Sequence, residues 1–553
     1  MKPKIAILVR DRAGWRLTQH FFRALFDFGL LTQAGADSLT HLLLGSVGGF
    51  VSAGLLITYL YLGKYALLWG APAEVHRRAV LGDDLMLVGL PMLVVALVTV
   101  IIGESLFPDE RDFRVLGPLP VRKSTLFGAK LAALAMFTGL LVAVIHASLF
   151  PLLLLTSIHP NGQPAVLSRL VVWLLTGASA SLWVLLAVAA LVGVSTLTLA
   201  HGRWRELPGL LRSAVLGMLV VAVPFVLRLP DSGGAFAEQA DWLMFLPPAW
   251  FVGLQQVLRG SRDPWFVQLA GVGLAALAAA GLLVAATYAV LFRRFEYLML
   301  RSSRAPGAGS RTDAAHGRDE QATPAFRGVF HFTLLTLRRS QLHQGVLAGI
   351  MACGLAIAMR STAAMAAPFT LMFISGLAVR ATLVLPMEHR ANWIFRMTED
   401  GNARAEQQRA VDRLVTWCVV GAPLALALPT LWGGTGPRSL GAVAIVALTG
   451  FIFVHVVLAD WRRIPFTSSY LPGKRFAAHS LVVGGACYLL LTWAGSYLAA
   501  AAAGNLRRAL AIALAMASLG WLLRRRRLAA WSLTPLMFED ELADQPTLVQ
   551  LRQ

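Results

Sequence analysis

Twelve apolar runs of about 18–30 residues leave this chain little choice of fold, because a helix of that length, at ~1.5 Å per residue, crosses ~30 Å of hydrocarbon. The runs fall at about 42–63, 85–103, 131–156, 170–199, 211–229 and 266–292, then at 343–360, 363–385, 414–432, 439–459, 476–501 and 506–523. With 57% hydrophobic and only 14% charged residues over 553 positions, and a mean hydropathy of +0.65, the chain is too apolar for a soluble protein of this size. The expected fold is an all-α polytopic membrane protein of about 12 transmembrane helices.

The net charge of +20 is read as topology and not as nucleic-acid binding, which would need a basic face on a folded domain. With the N-terminus inside, about 37 of the 49 Lys and Arg fall in cytoplasmic segments and about 10 outside. Both termini are therefore expected in the cytoplasm of a bacterium, with the chain in its inner membrane and the basic run Arg524–Arg527 closing the last helix. The first long apolar run begins near His41 after a charged leader, so the first helix is expected to act as its own insertion signal. Cys353, Cys418 and Cys487 lie in apolar segments without metal-ligand spacing, which excludes a zinc site or a disulfide framework.

The organisation reads as two six-span units in one orientation. Residues 1–41 form an interfacial amphipathic segment, with Arg16, Gln19, His20, Arg23 and Asp27 on one stripe and Trp15, Phe21, Phe22, Leu25, Phe26 and Phe28 opposite. Residues 42–292 form the first unit, and 293–325, rich in Arg, Gly, Ser and Ala, a cytoplasmic linker. Residues 326–523 hold a second amphipathic lead-in, Arg327, His331 and Arg338 opposing Phe326, Val329, Phe330 and Leu334, and the second unit. Residues 524–553 form a cytoplasmic tail.

In each unit the main cytoplasmic loop follows the second span. The first runs from Glu104 to Lys130 and carries a short-helix signature: Pro108 at the first helical position, Asp109, Glu110 and Asp112 in the first turn, Gly117 and Pro118 at the stop. About nine residues, ~13 Å of helix, do not hold together alone, so a partner is expected on the side away from the membrane. The second loop repeats the punctuation with Pro386, Glu388 and Gly401. The bland reading of Asp109, Arg111, Asp112 and Arg114 is a solvated charged face.

The stretch Leu106-Phe107-Pro108-Asp109 through Arg111-Asp112, with Val115-Leu116-Gly117-Pro118-Leu119-Pro120 and Ala129-Lys130, resembles the cytoplasmic loop of type-2 ABC exporter permeases. The resemblance covers the six-span order of both halves, its sequence-specific part being this loop. It implies a coupling helix that docks on an ATPase subunit, through Pro108, Asp109, Arg111, Asp112, Leu116, Gly117 and Pro118. The divergent counterpart in the second loop would use Glu388, Asn392, Trp393 and Arg396. It implies too that the chain binds no cofactor itself, ATP and Mg being held by a separate P-loop ATPase, in two copies, while this chain passes an exported substrate across the bilayer. The segment LMFLPPAWFVGLQQVLRG, with Trp250, Leu254 and Val257 on one face, suits the short external or re-entrant helix such permeases often carry.

No P-loop, H-E-x-x-H, G-x-S-x-G or Cys/His zinc pattern occurs, so catalysis in this chain is not expected. His146 and His455, in the third and tenth spans, are candidates for a translocation path, although a neutral hydrogen-bonded histidine is the favoured reading of each. Arg228 and Arg380, near span ends, are expected to snorkel, and Glu104 to pair with a basic loop residue. The competing functions are an ion-coupled secondary transporter with 6+6 helices and a polytopic membrane enzyme acting on lipid-linked substrates.

Overall fold

The computed structural model describes residues 14–25, 38–106, 122–157, 166–198, 207–303, 323–360, 366–385, 392–398, 400–421, 423–425, 439–459, 461–467, 477–503 and 505–533. Among these residues the chain is helical with no strand, and 11 helices are long and apolar enough to cross a membrane. It is a multi-pass membrane protein. Of the expected ninth span, 414–432, the described part is the end of one helix, a π-helical turn, Trp417–Gly421, and the helical residues 423–425; the rest lies outside the described residues.

Contacts divide the chain into two units, Met1–Pro208 with Ala222–Gly307, and Gly209–Val221 with Ala308–Gln553. The first unit contains α1 (14–24), α2 (Ser38–Leu68), α3 (Ala73–Ile101), α4 (Lys123–Ser157) and α5 (Val166–Thr198). The helix α6 (Leu207–Val226) then leads to a cap made of the 3-10 turn Leu229–Ser232, α7 (Gly233–Ala237), the 3-10 turn Asp241–Phe245 and α8 (Pro247–Leu258), followed by the long α9 (Pro264–Ser303).

The hub of this unit is α3. Leu85, Leu87, Val88 and Val95 are fully buried, and α4, α5 and the cap all pack on it. Its outer neighbours turn Leu55, Leu56, Tyr59 and Leu60 of α2, Leu174 and Leu175 of α5 and Leu282 of α9 outward. An apolar outer surface around a packed interior is what a helix bundle in lipid requires. Helices approach closely where side chains vanish: a Cβ on Gly54 of α2 would overlap the Ser148 carbonyl of α4. Likewise a Cβ on Gly82 of α3 would overlap the Pro230 carbonyl, and one on Gly233 the Arg78 carbonyl, so the cap sits backbone to backbone on the start of α3.

In α1 the stripe Arg16, Gln19, His20 and Arg23 is exposed while Phe21 and Leu25 are buried, as the pattern predicts; Trp15, expected with the apolar face, is exposed. Lys130 of α4 lies over the Phe21 ring, 5.2 Å from its centroid. Phe26, Asp27 and Phe28 lie outside the described residues.

The second unit contains α10 (Pro324–Arg339), α11 (Gln341–Arg360), α12 (Ala367–Val384), α13 (Asn392–Met397), α14 (Gly401–Thr416), α15 (Ser439–Val457), α16 (Ala477–Ala503) and α17 (Leu506–Leu533). Thr323 caps α10 by accepting from the Phe326 N–H at 3.3 Å. Phe369 and Met372 of α12, Val415 and Val419 around the π turn, Ile445 and Val446 of α15 and Ala499 of α16 make one core. Residues Gly209–Val221 of α6 belong here because Arg212 donates to Gln341 Oε1 and Ser213 to Gln344 Oε1 of α11.

Candidate functional site

The expected coupling residues divide sharply. Pro108, Asp109, Arg111, Asp112, Leu116, Gly117, Pro118 and Glu388 lie outside the described residues. Asn392 and Trp393 open α13, and Arg396 stands exposed in its last turn. The six-residue α13 is too short to be stable alone and is held by packing: Phe395 is 9% exposed and meets the Phe332 ring of α10 edge-on at 5.6 Å. Ile394 and Met397 point outward, 47% and 78% exposed. Together α10, α13 and α14 enclose a groove of about 840 Å³ with Gly328, Phe332, Ile394, Thr398 and Ala403 in its walls. Its charged lip is Arg409, paired to Glu406 one turn earlier.

The second unit also holds an ion pair in which the buried Arg527 of α17 donates to the half-buried Asp412 of α14. Burial raises the Asp412 carboxyl above the ordinary range, against the pull of the Arg527 and Arg524 charges. His455 of α15 is 5% exposed, sits edge-on to Phe451 at 4.7 Å and has no hydrogen-bond partner on either ring nitrogen. It is within electrostatic reach of Arg527 and Arg524, so it belongs to this polar cluster. Arg380 of α12 donates to the Val457 carbonyl at the end of α15, whereas Arg228 is exposed as a snorkelling side chain would be.

In the first unit His146 of α4 is 3% exposed; its Nδ1 lies 2.8 Å from the Val142 carbonyl and its ring packs on Trp173 of α5 at 4.7 Å. Its Nε2 faces Gly177 of α5, where any side chain would collide with it, and has no hydrogen-bond partner. The two histidines are thus each buried inside one unit, and neither lines the groove.

The most charged interior lies where hydropathy alone does not point. Asp83 and Asp84 of α3 are both 0% exposed, although a second span read as starting at 85 leaves them in a loop. Lys64 Nζ of α2 reaches Asp83 Oδ1 at 2.6 Å and the Tyr65 hydroxyl donates to Oδ2 at 2.5 Å. Arg169 of α5 donates to Asp84 Oδ1 at 3.1 Å and Arg259, just after α8, to Oδ2 at 3.0 Å. Arg169 also donates to the Thr156 carbonyl at 2.6 Å, tying α4 into the cluster. One turn further in, the Trp173 indole donates to the Leu87 carbonyl at 3.4 Å. Burial draws the Arg259 guanidinium below its ordinary range, and the Asp84 charge opposes that.

The short helix expected around Trp250, Leu254 and Val257 is α8, but its inward face is the other one: those three side chains are only half-buried, while Ala249, Val252 and Gln255 are fully buried. The signal available in sequence was Gln255 and Arg259, four apart in an apolar helix and so on one face. Among the described residues no group of His, Cys, Asp and Glu could hold a metal ion. Compared with protein-family models, with curated proteins and with solved structures, the chain matches none of them.

Proposed function

We propose that this chain is the membrane subunit of a bacterial ATP-driven exporter of the type-2 ABC kind, working with a separate P-loop ATPase that binds ATP and Mg. One observation carries the reading beyond the sequence resemblance: the segment after α12, expected to dock a partner, forms the short α13 braced by α10 and α14, with Ile394 and Met397 exposed beside an open groove. Two exposed apolar side chains on a short turn packed through Phe395 are the kind of anchor that fills a partner's pocket. Nucleotide binding in the partner would act on this turn and on the loop containing Asp109 and Asp112. In this reading the chain resides in the inner membrane with both termini inside, as 12 spans in two six-span units, and performs no catalysis itself.

The test is co-expression and co-purification of the chain with its candidate P-loop ATPase. Ile394→Asp with Met397→Asp is expected to lower recovery of the ATPase at least tenfold while leaving the chain in the membrane. Undiminished recovery in that variant and in Asp109→Lys/Asp112→Lys would remove the basis of the proposal.

The ion-coupled transporter reading keeps one observation in its favour, the buried carboxylates Asp83 and Asp84 within a span. Both are already paired with cations, which suits a structural role better than a proton carrier. Substrate movement in vesicles under a pH gradient, with no ATPase present, would favour that alternative.

A further inference from the structure

We infer that the ion-pair cluster of the first unit is an oxyanion-binding site, taking a carboxylate or phosphate group against Arg259 and Gln255. The inference rests on the donors left over in the cluster and holds whether or not an ATPase partners the chain. All four carboxylate oxygens of Asp83 and Asp84 already have a donor: Lys64, Tyr65, Arg169 and Arg259. Yet the buried Nε and Nη2 of Arg259, and Nε of Arg169, have no hydrogen-bond partner.

The geometry of what is free matters. Arg259 meets Asp84 through Nη1 alone, so its Nε and Nη2 remain, and these two N–H groups form the side-on edge of the guanidinium that grips two oxygens of one carboxylate or phosphate. Gln255 lies one turn earlier on the same face of α8, is 0% exposed, and leaves both amide atoms unpartnered. A fully buried amide with neither end satisfied costs stability unless something completes it.

Charge points to an anion. Three cations, Lys64, Arg169 and Arg259, share two carboxylates, so one positive charge is uncompensated within this set of side chains. In a low-dielectric interior that excess favours an anionic occupant over a neutral one. The Arg259 side chain is 24% exposed and that of Arg169 15%, so part of each reaches the surface, whereas Asp84 is sealed and the unpartnered N–H groups are themselves buried. The oxyanion can arrive as a free ion or as a lipid headgroup, and one experiment separates the two sources.

The full chain, purified into phosphatidylcholine nanodiscs, is titrated with inorganic phosphate and with acetate while its thermal midpoint is followed, and parallel discs contain phosphatidylglycerol. A rise with either free anion assigns a soluble oxyanion; a rise confined to the phosphatidylglycerol discs assigns a headgroup. Arg259→Lys keeps the charge but loses the fork, and Gln255→Met keeps every ion pair but loses the amide. Each is expected to weaken the response about tenfold. Gln255→Met disturbs no pair, so it keeps the test decisive if Arg259→Lys does not fold. A wild-type midpoint unmoved by phosphate, acetate and phosphatidylglycerol, or a Gln255→Met chain responding like wild type, would mean that water alone fills the site and would overturn the inference.

Discussion

Asp84 shows how a single residue can be both costly and necessary. A buried carboxylate is tolerable only because Arg169 and Arg259 close on it from α5 and from the end of α8, and the pair is a weak net stabiliser compared with apolar packing. Breaking one side is another matter. Asp84→Asn strands two guanidiniums in the interior and is expected to cost about 3–5 kcal/mol, read as a lowered midpoint of thermal unfolding in detergent. Arg228→Gln, at an exposed position, is expected to change stability by less than ~0.5 kcal/mol. A comparable rule applies to Phe466, held at φ 65°, where a non-glycine residue is strained. It is 0% exposed, its N–H donates to Leu383 at 3.0 Å and its ring meets His343 edge-on at 4.7 Å, so packing holds the strained backbone in place. Phe466→Ala should therefore lose about 3–5 kcal/mol, measured in the same way.

At the scale of elements, the cap on α3 is held by close backbone approach as well as by buried side chains such as Phe236 and Phe251. Gly82→Val and Gly233→Val each drive a side chain into a carbonyl of the opposing segment. Both are expected to lift Leu229–Leu258 from α3 and raise hydrogen exchange across that segment at least tenfold, with exchange in α4 unchanged; protection equal to wild type would refute the packing argument. Elements are also where the sequence was most and least readable. Long apolar runs announce helices without help from tertiary contacts, and the charged stripe of α1 and the amphipathic lead-in of α10 follow from periodicity. The start of α3 did not follow, because Asp83 and Asp84 look like a span boundary in one dimension. Their cations come from positions 64, 169 and 259, and no local window contains that pairing. The same blindness hid the inward face of α8, where Gln255 and Arg259 turn inside and the half-buried Trp250 lies on the other side. Histidines were easier to notice than to interpret: His146 and His455 are buried as expected for intramembrane residues, while their settings, Trp173 and the Asp412–Arg527 cluster, required the packed helices.

For the whole molecule, the division of charge along the chain predicts one orientation. With the N-terminus inside, Glu238 in the cap is external and Ser310 in the linker cytoplasmic. Cysteines placed singly at those positions, on a chain lacking Cys353, Cys418 and Cys487, should label oppositely from the two sides of intact cells and inverted vesicles. Equal sidedness would break the 12-span reading. Under that predicted orientation the ion-pair cluster would face outside and the α13 turn the cytoplasm, the side on which the proposed ATPase would act. The most direct measurement of the central claim is therefore a disulfide or short cross-link from Ile394→Cys to a candidate P-loop ATPase co-expressed with the chain. The account predicts a cross-linked pair that forms in membranes and changes in yield when ATP is added. A chain that inserts normally, accepts label at that cysteine from the cytoplasmic side and yet gives no cross-link to the ATPase would contradict it.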